Sequence, residues 1–400
     1  MTLPLFLLSG LLGLTAAILA IPVAMVCLEI AAAHRPRPRP RVAPPSGDRP
    51  PLAVIVPAHD EERHLGATLD SIRGQVGPGD RLVVAADNCT DRTAAVAAAM
   101  GAEVVVRHDP FARGKGYAME AGIRHLRGAP PSLVVFFDAD CHVGAGVLDA
   151  LAETAMAQGR PAQARFLSLA PPGARPGVKV AEFAYFVKNA LRPRGLAALG
   201  LPCQLAGSGM AFPWPIIAQA RLGSGEIVED LKLGLDCALA GHAPVLCEAA
   251  HVTSPFPTGE QAVAHQRERW QRGHLGQIRT ALPPLLAGLR RGDRALVALM
   301  LDVMVPPLTL LLLANAVLVA VSAAAVLAGA SPLPLAIGAT NAAALALAIV
   351  AGWRLAGAEG HAGGGPRAFV AYLAGNAALY QRLLTRTPVA WIRTDRGGTP

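Results

Sequence analysis

Residues from about Leu3 to Ile30 run almost without a polar break, and this run constrains the chain more than any other feature. A bilayer core takes roughly 20 helical residues to cross, so the segment is long enough to span. A cleaved signal peptide would carry basic residues ahead of its apolar stretch, but none precedes His34. The positive charge follows instead, in HRPRPRPR with Arg35, Arg37, Arg39 and Arg41. That placement favours an uncleaved anchor with the N-terminus outside and the basic run inside. The alternating prolines make the run an extended linker.

Two more spans are expected near the C-terminus, at about Val303 to Leu327 and Leu333 to Trp353. Arg290, Arg291 and Arg294 precede the first and Arg354 follows the second, while the link Ala328 to Pro332 is uncharged. The asymmetry puts the link outside and both flanks inside. Pro306 and Pro307 either kink the first span or mark the end of an interfacial helix. Phe369 to Leu384 is apolar but short, an interfacial helix or partial span. The expected organisation is an anchor over 1–33, a basic Pro-rich linker over 34–50, a cytoplasmic domain over 51–285 and a membrane region over 286–400. The expected location is the cell (inner or plasma) membrane, multi-pass, with the soluble domain in the cytoplasm.

The formal net charge of +8 could indicate nucleic acid or an anionic membrane. The arginines sit beside the apolar segments, and no zinc-finger spacing or aromatic RNA platform accompanies them. Membrane is therefore the expected partner, and nucleic acid is not. Cys27, Cys89, Cys141, Cys203, Cys237 and Cys247 occur singly, so no CxxC metal or redox motif is indicated. Free thiols suit a cytosolic domain.

Between about Pro51 and Gly273 the pattern changes. LAVIVPA, RLVVAAD, EVVVRH and SLVVFFDAD are short β-branched runs, each followed by a helical pattern. This alternation predicts an α/β domain, a mostly parallel sheet with helices on both faces. Ligands bind such sheets at the C-terminal ends of the strands. Three of the runs end there in polar residues: His59 to Glu62, Asp87-Asn88, and Asp138-Ala139-Asp140.

Asp138 and Asp140 offer two hard oxygen ligands suited to Mg²⁺ or Mn²⁺ beside a phosphate; the alternative is a solvated turn. Asp87 could bind a base or ribose, with Asn88, Thr90 and Asp91 as turn and cap residues. Arg113-Gly-Lys115-Gly116 before a helix is a diphosphate contact or an ordinary basic turn. Glu229 and Asp230 open the helical stretch LKLGLDCALAG, where acids also serve as caps. Gln266, Arg269 and Trp270 share a helix face. The arginine suits phosphate and the indole a sugar ring, unless the helix is simply an interfacial one.

In order, VIVPAHDEE, ADNCTD, RGKG, FFDAD, AGSGMAF, VED and QRERW resemble the processive-type branch of glycosyltransferase family 2. That branch includes cellulose, chitin and hyaluronan synthases and bacterial exopolysaccharide enzymes. The resemblance covers about Val54 to Trp270 and implies a GT-A fold. It implies that Glu61 and Asp87 contact the nucleoside, that Lys115 and Asp138 lie by the donor diphosphate, and that Asp138 and Asp140 hold Mg²⁺ or Mn²⁺. It implies that Gly207, Ser208 and Gly209 form an acceptor-side loop and that Asp230 is the catalytic base. Gln266, Arg269 and Trp270 match QxxRW, which lines the donor diphosphate and the acceptor sugar. Asp60 stands where many relatives have Asn, and the large polymer synthases have more membrane helices than the three expected here.

The implied reaction is metal-dependent and inverting. Asp230 deprotonates an acceptor hydroxyl, which displaces a nucleoside diphosphate, UDP by family resemblance. The expected acceptor is a saccharide in cell-surface or exopolysaccharide synthesis, with a separate exporter as a partner. The alternative is single-sugar transfer to a membrane lipid, similar to ceramide glucosyltransferases. A non-catalytic partner of another transferase is a further alternative, although such copies would be expected to lose Asp140, Asp230 or Trp270.

Overall fold

The computed structural model describes residues 2–35, 49–223, 228–257 and 260–385. Most of the linker expected over 34–50 lies outside them, including Arg37, Arg39 and Arg41. The four β-branched runs are strands: β1 Leu52–Ala58, β2 Arg81–Asp87, β3 Glu103–Arg107 and β4 Leu133–Phe136. All three pairings among them are parallel, in the order β3-β2-β1-β4. Side chains alternate across a strand, and β1 divides accordingly. Leu52, Val54 and Val56 pack with Leu65, Leu69, Ile72 and Leu151, whereas Ala53 and Ile55 pack with Met119, Ile123, Phe212 and Leu233. Both faces are therefore covered by helices, as the continuous apolar runs predict.

The sheet is extended by β5 His142–Val143, β6 Ala162–Leu169, β7 Met210–Pro213 and β8 Val245–Pro255. The full order is β3-β2-β1-β4-β7-β6-β8-β5. Here β7 is antiparallel to both β4 and β6, β8 runs parallel to β6, and β5 is antiparallel to β8.

Among the described residues, three helices are long and apolar enough to cross a membrane: Leu3–Ala33, Leu308–Leu327 and Leu333–Ala358. The second begins five residues later than expected. Pro306 and Pro307 lack the N–H donors a helix needs and separate it from the helix Arg294–Val303. The last apolar stretch forms a helix over Gly365–Thr385. The N-terminal helix is part of the folded body as well as an apolar span. Val23, Val26 and Ile30 share one core with Phe183, Phe186, Leu191, Leu311 and Leu345. Glu29 is wholly buried and accepts from Arg192 Nε at 2.5 Å, and Arg192 also pairs with Asp302.

Candidate active site

Asp138 and Asp140 lie in the turn beyond β4, the first half-buried and the second buried. Asp140 Oδ2 accepts from Ser254 Oγ of β8 at 2.8 Å, and the Asp138 amide donates to Ser208 Oγ at 3.0 Å. Ligand atoms of Asp138, Asp140 and Cys141 all lie within 4.8 Å of one another. Burial, with Asp140 and Asp138 beside it, pushes the Cys141 thiol well above its ordinary pKa, so it stays neutral. The two carboxylates remain, and their hard oxygens fit a divalent ion such as Mg²⁺ or Mn²⁺.

Lys115 opens the helix Lys115–Leu126. Its Nζ lies 2.5 Å from Asp138 Oδ1 and 3.5 Å from Glu229 Oε1, and it donates to the Gly207 carbonyl at 2.7 Å. Burial alone would lower the ammonium's pKa, but Asp138, Glu229 and Asp230 outweigh it and hold the group charged above the ordinary lysine range. Glu229 and Asp230 begin the helix Glu229–Leu239. Burial raises the pKa of both, against the pull of Lys115, and brings Glu229 to about 7. The Leu231 amide donates to Asp230 Oδ1 at 2.8 Å, which fixes the carboxylate's orientation.

Gly207 has φ +88°, and a Cβ there would lie 3.1 Å from Asp230 Oδ2. The loop is therefore confined to glycine by both backbone and space. Gly207, Ser208 and Gly209, expected to form an acceptor-side loop, are all buried, and Ser208 Oγ accepts from the Asp138 amide. Gln163, which the sequence reading did not single out, organises this loop. Its Oε1 accepts from the Ala206 amide, and its Nε2 donates to the Ser208 carbonyl, each at 2.8 Å.

At the other end, Asp87 Oδ1 accepts from Arg107 Nη1 at 2.6 Å, and His59 Nδ1 bonds the Asp87 carbonyl at 2.7 Å. The Glu61 amide donates to Thr93 Oγ1 at 2.7 Å. Asp60 and Asn88 hold φ of 54° and 51°, a left-handed region that Asn and Asp tolerate better than most side chains. This accounts physically for an Asp in place of Asn at position 60. Its carboxylate accepts from the Thr90 amide at 2.6 Å, tying the two loops together.

Gln266, Arg269 and Trp270 ride one helix, Glu260–Thr280. The Trp270 indole leans on Tyr185, with ring centroids 5.6 Å apart. A single cavity of about 540 Å³ brings together Glu61, Asp87, Lys115, Asp138, Asp140, Gly207, Asp230, Gln266, Arg269 and Trp270. Val26 and residues 305–308 add apolar lining to the same cavity.

Residues 50–273 match the family described as Glycosyltransferase like family 2, more than half of the chain. The chain belongs to that family. Within it, the chain is 39% identical over 95 residues to glucosyl-3-phosphoglycerate synthase of Mycolicibacterium paratuberculosis, covering 22% of this chain and 28% of the relative. It is 40% identical over 92 residues to 4,4'-diaponeurosporenoate glycosyltransferase of Staphylococcus aureus, covering 22% and 24%. The match thus spans about a quarter of each relative's length. The mannosyltransferase PcManGT from Pyrobaculum calidifontis, solved with GDP-Man and Mn²⁺, superposes with a TM-score of 0.56. That superposition covers 93% of this chain and 99% of the mannosyltransferase at 19% identity. At that identity the likeness establishes a shared fold, the GT-A arrangement. In this family 2 chain, Tyr185, Lys188 and His274 also line the cavity. No spacing marked them, because they sit in stretches that read as ordinary helix.

Proposed function

We propose that the protein transfers a sugar from a nucleotide donor to an acceptor at the membrane, with inversion at the anomeric carbon. The observation that carries this reading is the convergence of Lys115, Asp138, Asp140, Asp230 and Arg269, from four separate chain segments, on one cavity. Glu61 and Asp87 take the nucleoside, while Lys115 and Arg269 offer cationic donors to the diphosphate. Asp138 and Asp140 would hold the divalent ion, which offsets charge on the departing diphosphate. The mannosyltransferase of like fold, solved with Mn²⁺, supports a divalent ion in this reaction. Asp230 removes the proton from the acceptor hydroxyl, whose oxygen bonds to the anomeric carbon as the bond to the nucleoside diphosphate breaks. The domain boundaries at 51–285 and the cytoplasmic placement of the cavity belong to the same proposal.

For the acceptor, QxxRW favours a saccharide placed near Trp270. Tyr185 already leans on that indole, however, and the apolar Val26, Val305 and Leu308 also line the cavity. These contacts favour a second reading, in which the acceptor is a membrane lipid. Membranes bearing the protein, incubated with a panel of labelled nucleotide sugars, should transfer label to a lipid or glycan fraction. EDTA should abolish transfer and Mn²⁺ or Mg²⁺ restore it. Full activity in chelator would remove the metal from the account, and label released only as free sugar would remove the acceptor.

A further inference from the structure

Gln163 lies in β6 and is only 2% exposed. It is not among the residues that line the cavity, so any part it takes in binding is exerted through its neighbours. Glutamine is seldom buried, and a buried amide has to spend its donors and its acceptor. Here Nε2 donates to the Ser208 and Ala164 carbonyls, and Oε1 accepts from the Ala206 amide, each at 2.8 Å. The Ala206 amide can meet only an oxygen and the Ser208 carbonyl only an N–H. The two partners therefore fix which way the side-chain amide faces.

Those two backbone groups flank Gly207, and the residues they hold reach the acids of the cavity. The Gly207 carbonyl accepts from Lys115 Nζ at 2.7 Å, and that ammonium lies 2.5 Å from Asp138 Oδ1. Ser208 is wholly buried, and its Oγ accepts from the Asp138 amide at 3.0 Å. From Gly209 onward the sheet itself holds the chain. The Gly209 amide donates to the Phe136 carbonyl at 2.8 Å, and its own carbonyl accepts from the Ala164 amide at 2.7 Å. Ala206 to Ser208 precede β7, and there the Gln163 side chain takes the place of a strand partner.

We propose that Gln163 is a positioning residue for the divalent ion and for the donor's diphosphate. By bracketing Gly207 it sets the Lys115 ammonium and the Asp138 turn at the spacing those ligands need. The diphosphate part rests on the transferase reading, while the metal part rests on Asp138 and Asp140 alone.

The test is Mn²⁺ affinity of the full chain in nonionic detergent, alone and with UDP or GDP, read by electron spin resonance of the free ion. Thermal unfolding without ligand is measured beside it. Gln163→Met keeps the length of the side chain and removes its hydrogen bonds. Mn²⁺ affinity should fall by about tenfold to a hundredfold, the usual loss when a group that holds a metal's ligands is removed. Binding of UDP or GDP in Mn²⁺ should weaken with it. Gln163→Asn keeps the amide but is one methylene too short to reach both Ala206 and Ser208. It should weaken Mn²⁺ in the same direction, and it carries the test if Gln163→Met does not fold. Ser208→Ala should also weaken Mn²⁺, and Gln163→Met added to it should cost little more, because both act through one loop. Ile72→Val is the control for lost stability, since Ile72 is wholly buried and does not line the cavity; its Mn²⁺ affinity should not change. Unchanged Mn²⁺ affinity in a folded Gln163 variant overturns the proposal. An equal loss in Ile72→Val overturns it too, by making Gln163 a stability residue only. An unmodified chain that binds Mn²⁺ but neither nucleoside diphosphate would count against the transferase reading and leave the Mn²⁺ comparison to decide Gln163. An unmodified chain that binds no Mn²⁺, alone or with nucleotide, overturns the proposal as well.

Discussion

Gly195 sits where the helix Arg192–Ala198 crosses the N-terminal membrane helix, and a Cβ added there would lie 1.8 Å from the Glu29 carbonyl oxygen. Real Cβ atoms essentially never come within 3.0 Å of such an atom, so the two backbones must part by about 1.2 Å. On helix propensity alone, Gly195→Ala should stabilise the protein by up to about 1 kcal/mol. The structure predicts the opposite sign. Forcing a methyl into a packed contact costs about 1–3 kcal/mol. The displacement also strains the buried Glu29–Arg192 pair at 2.5 Å, and full loss of one partner from such a pair costs about 3–5 kcal/mol. Gly195→Val should be worse than Gly195→Ala. Val26, one turn from Glu29, lines the cavity, so transfer activity should fall along with stability. Gly177→Ala is the control, because a Cβ there meets nothing within 4 Å. Thermal unfolding of the three purified variants, followed by tryptophan fluorescence, gives the comparison. A Gly195→Ala protein as stable and active as Gly177→Ala would refute the packing of the membrane helix against the catalytic part.

Two other outcomes follow from charge and burial. Burial raises the Asp230 pKa, and the ionised form is the proposed base, so activity should fall on the acid side at a pH above the ordinary aspartate value of about 3.9; a pH–rate profile still flat through that value would contradict it. With Cys27 and Cys89 replaced, the remaining cysteines are buried. A cysteine at Ser331 should then react with an impermeant thiol reagent outside intact cells, and one at Arg127 should not; the reverse labelling would invert the proposed orientation.

The sequence made β1, β2 and β4 legible because central parallel strands are apolar on both faces and read as unbroken runs, while the half-buried edge strand β3 showed through its β-branched EVVVR run. The mixed half was not legible. β5 has two residues, β7 has four, and the register of β6 against β8 shifts between Ala164 and Arg165, which erases any regular alternation. The site residues Asp138, Asp140, Asp230 and Trp270 were visible as motifs. The buried positions of Ser208 and Gly209 depend on Gln163 and on β7, which no local pattern ties to the loop. Glu29 lies inside the apolar run, and its partner Arg192 is 163 residues away, beyond the reach of any local pattern.

The central claim is that Asp230 serves as the base of a sugar transfer from a nucleotide donor. Asp230→Asn keeps the shape and an acceptor for the Leu231 amide, and removes only the ability to take a proton. The decisive measurement is the transfer rate of this variant beside its nucleoside diphosphate affinity. Transfer should drop by about a hundredfold or more, the contribution of a positioned general base, with the affinity nearly unchanged. Near-normal transfer by Asp230→Asn, with donor affinity intact, would contradict the account.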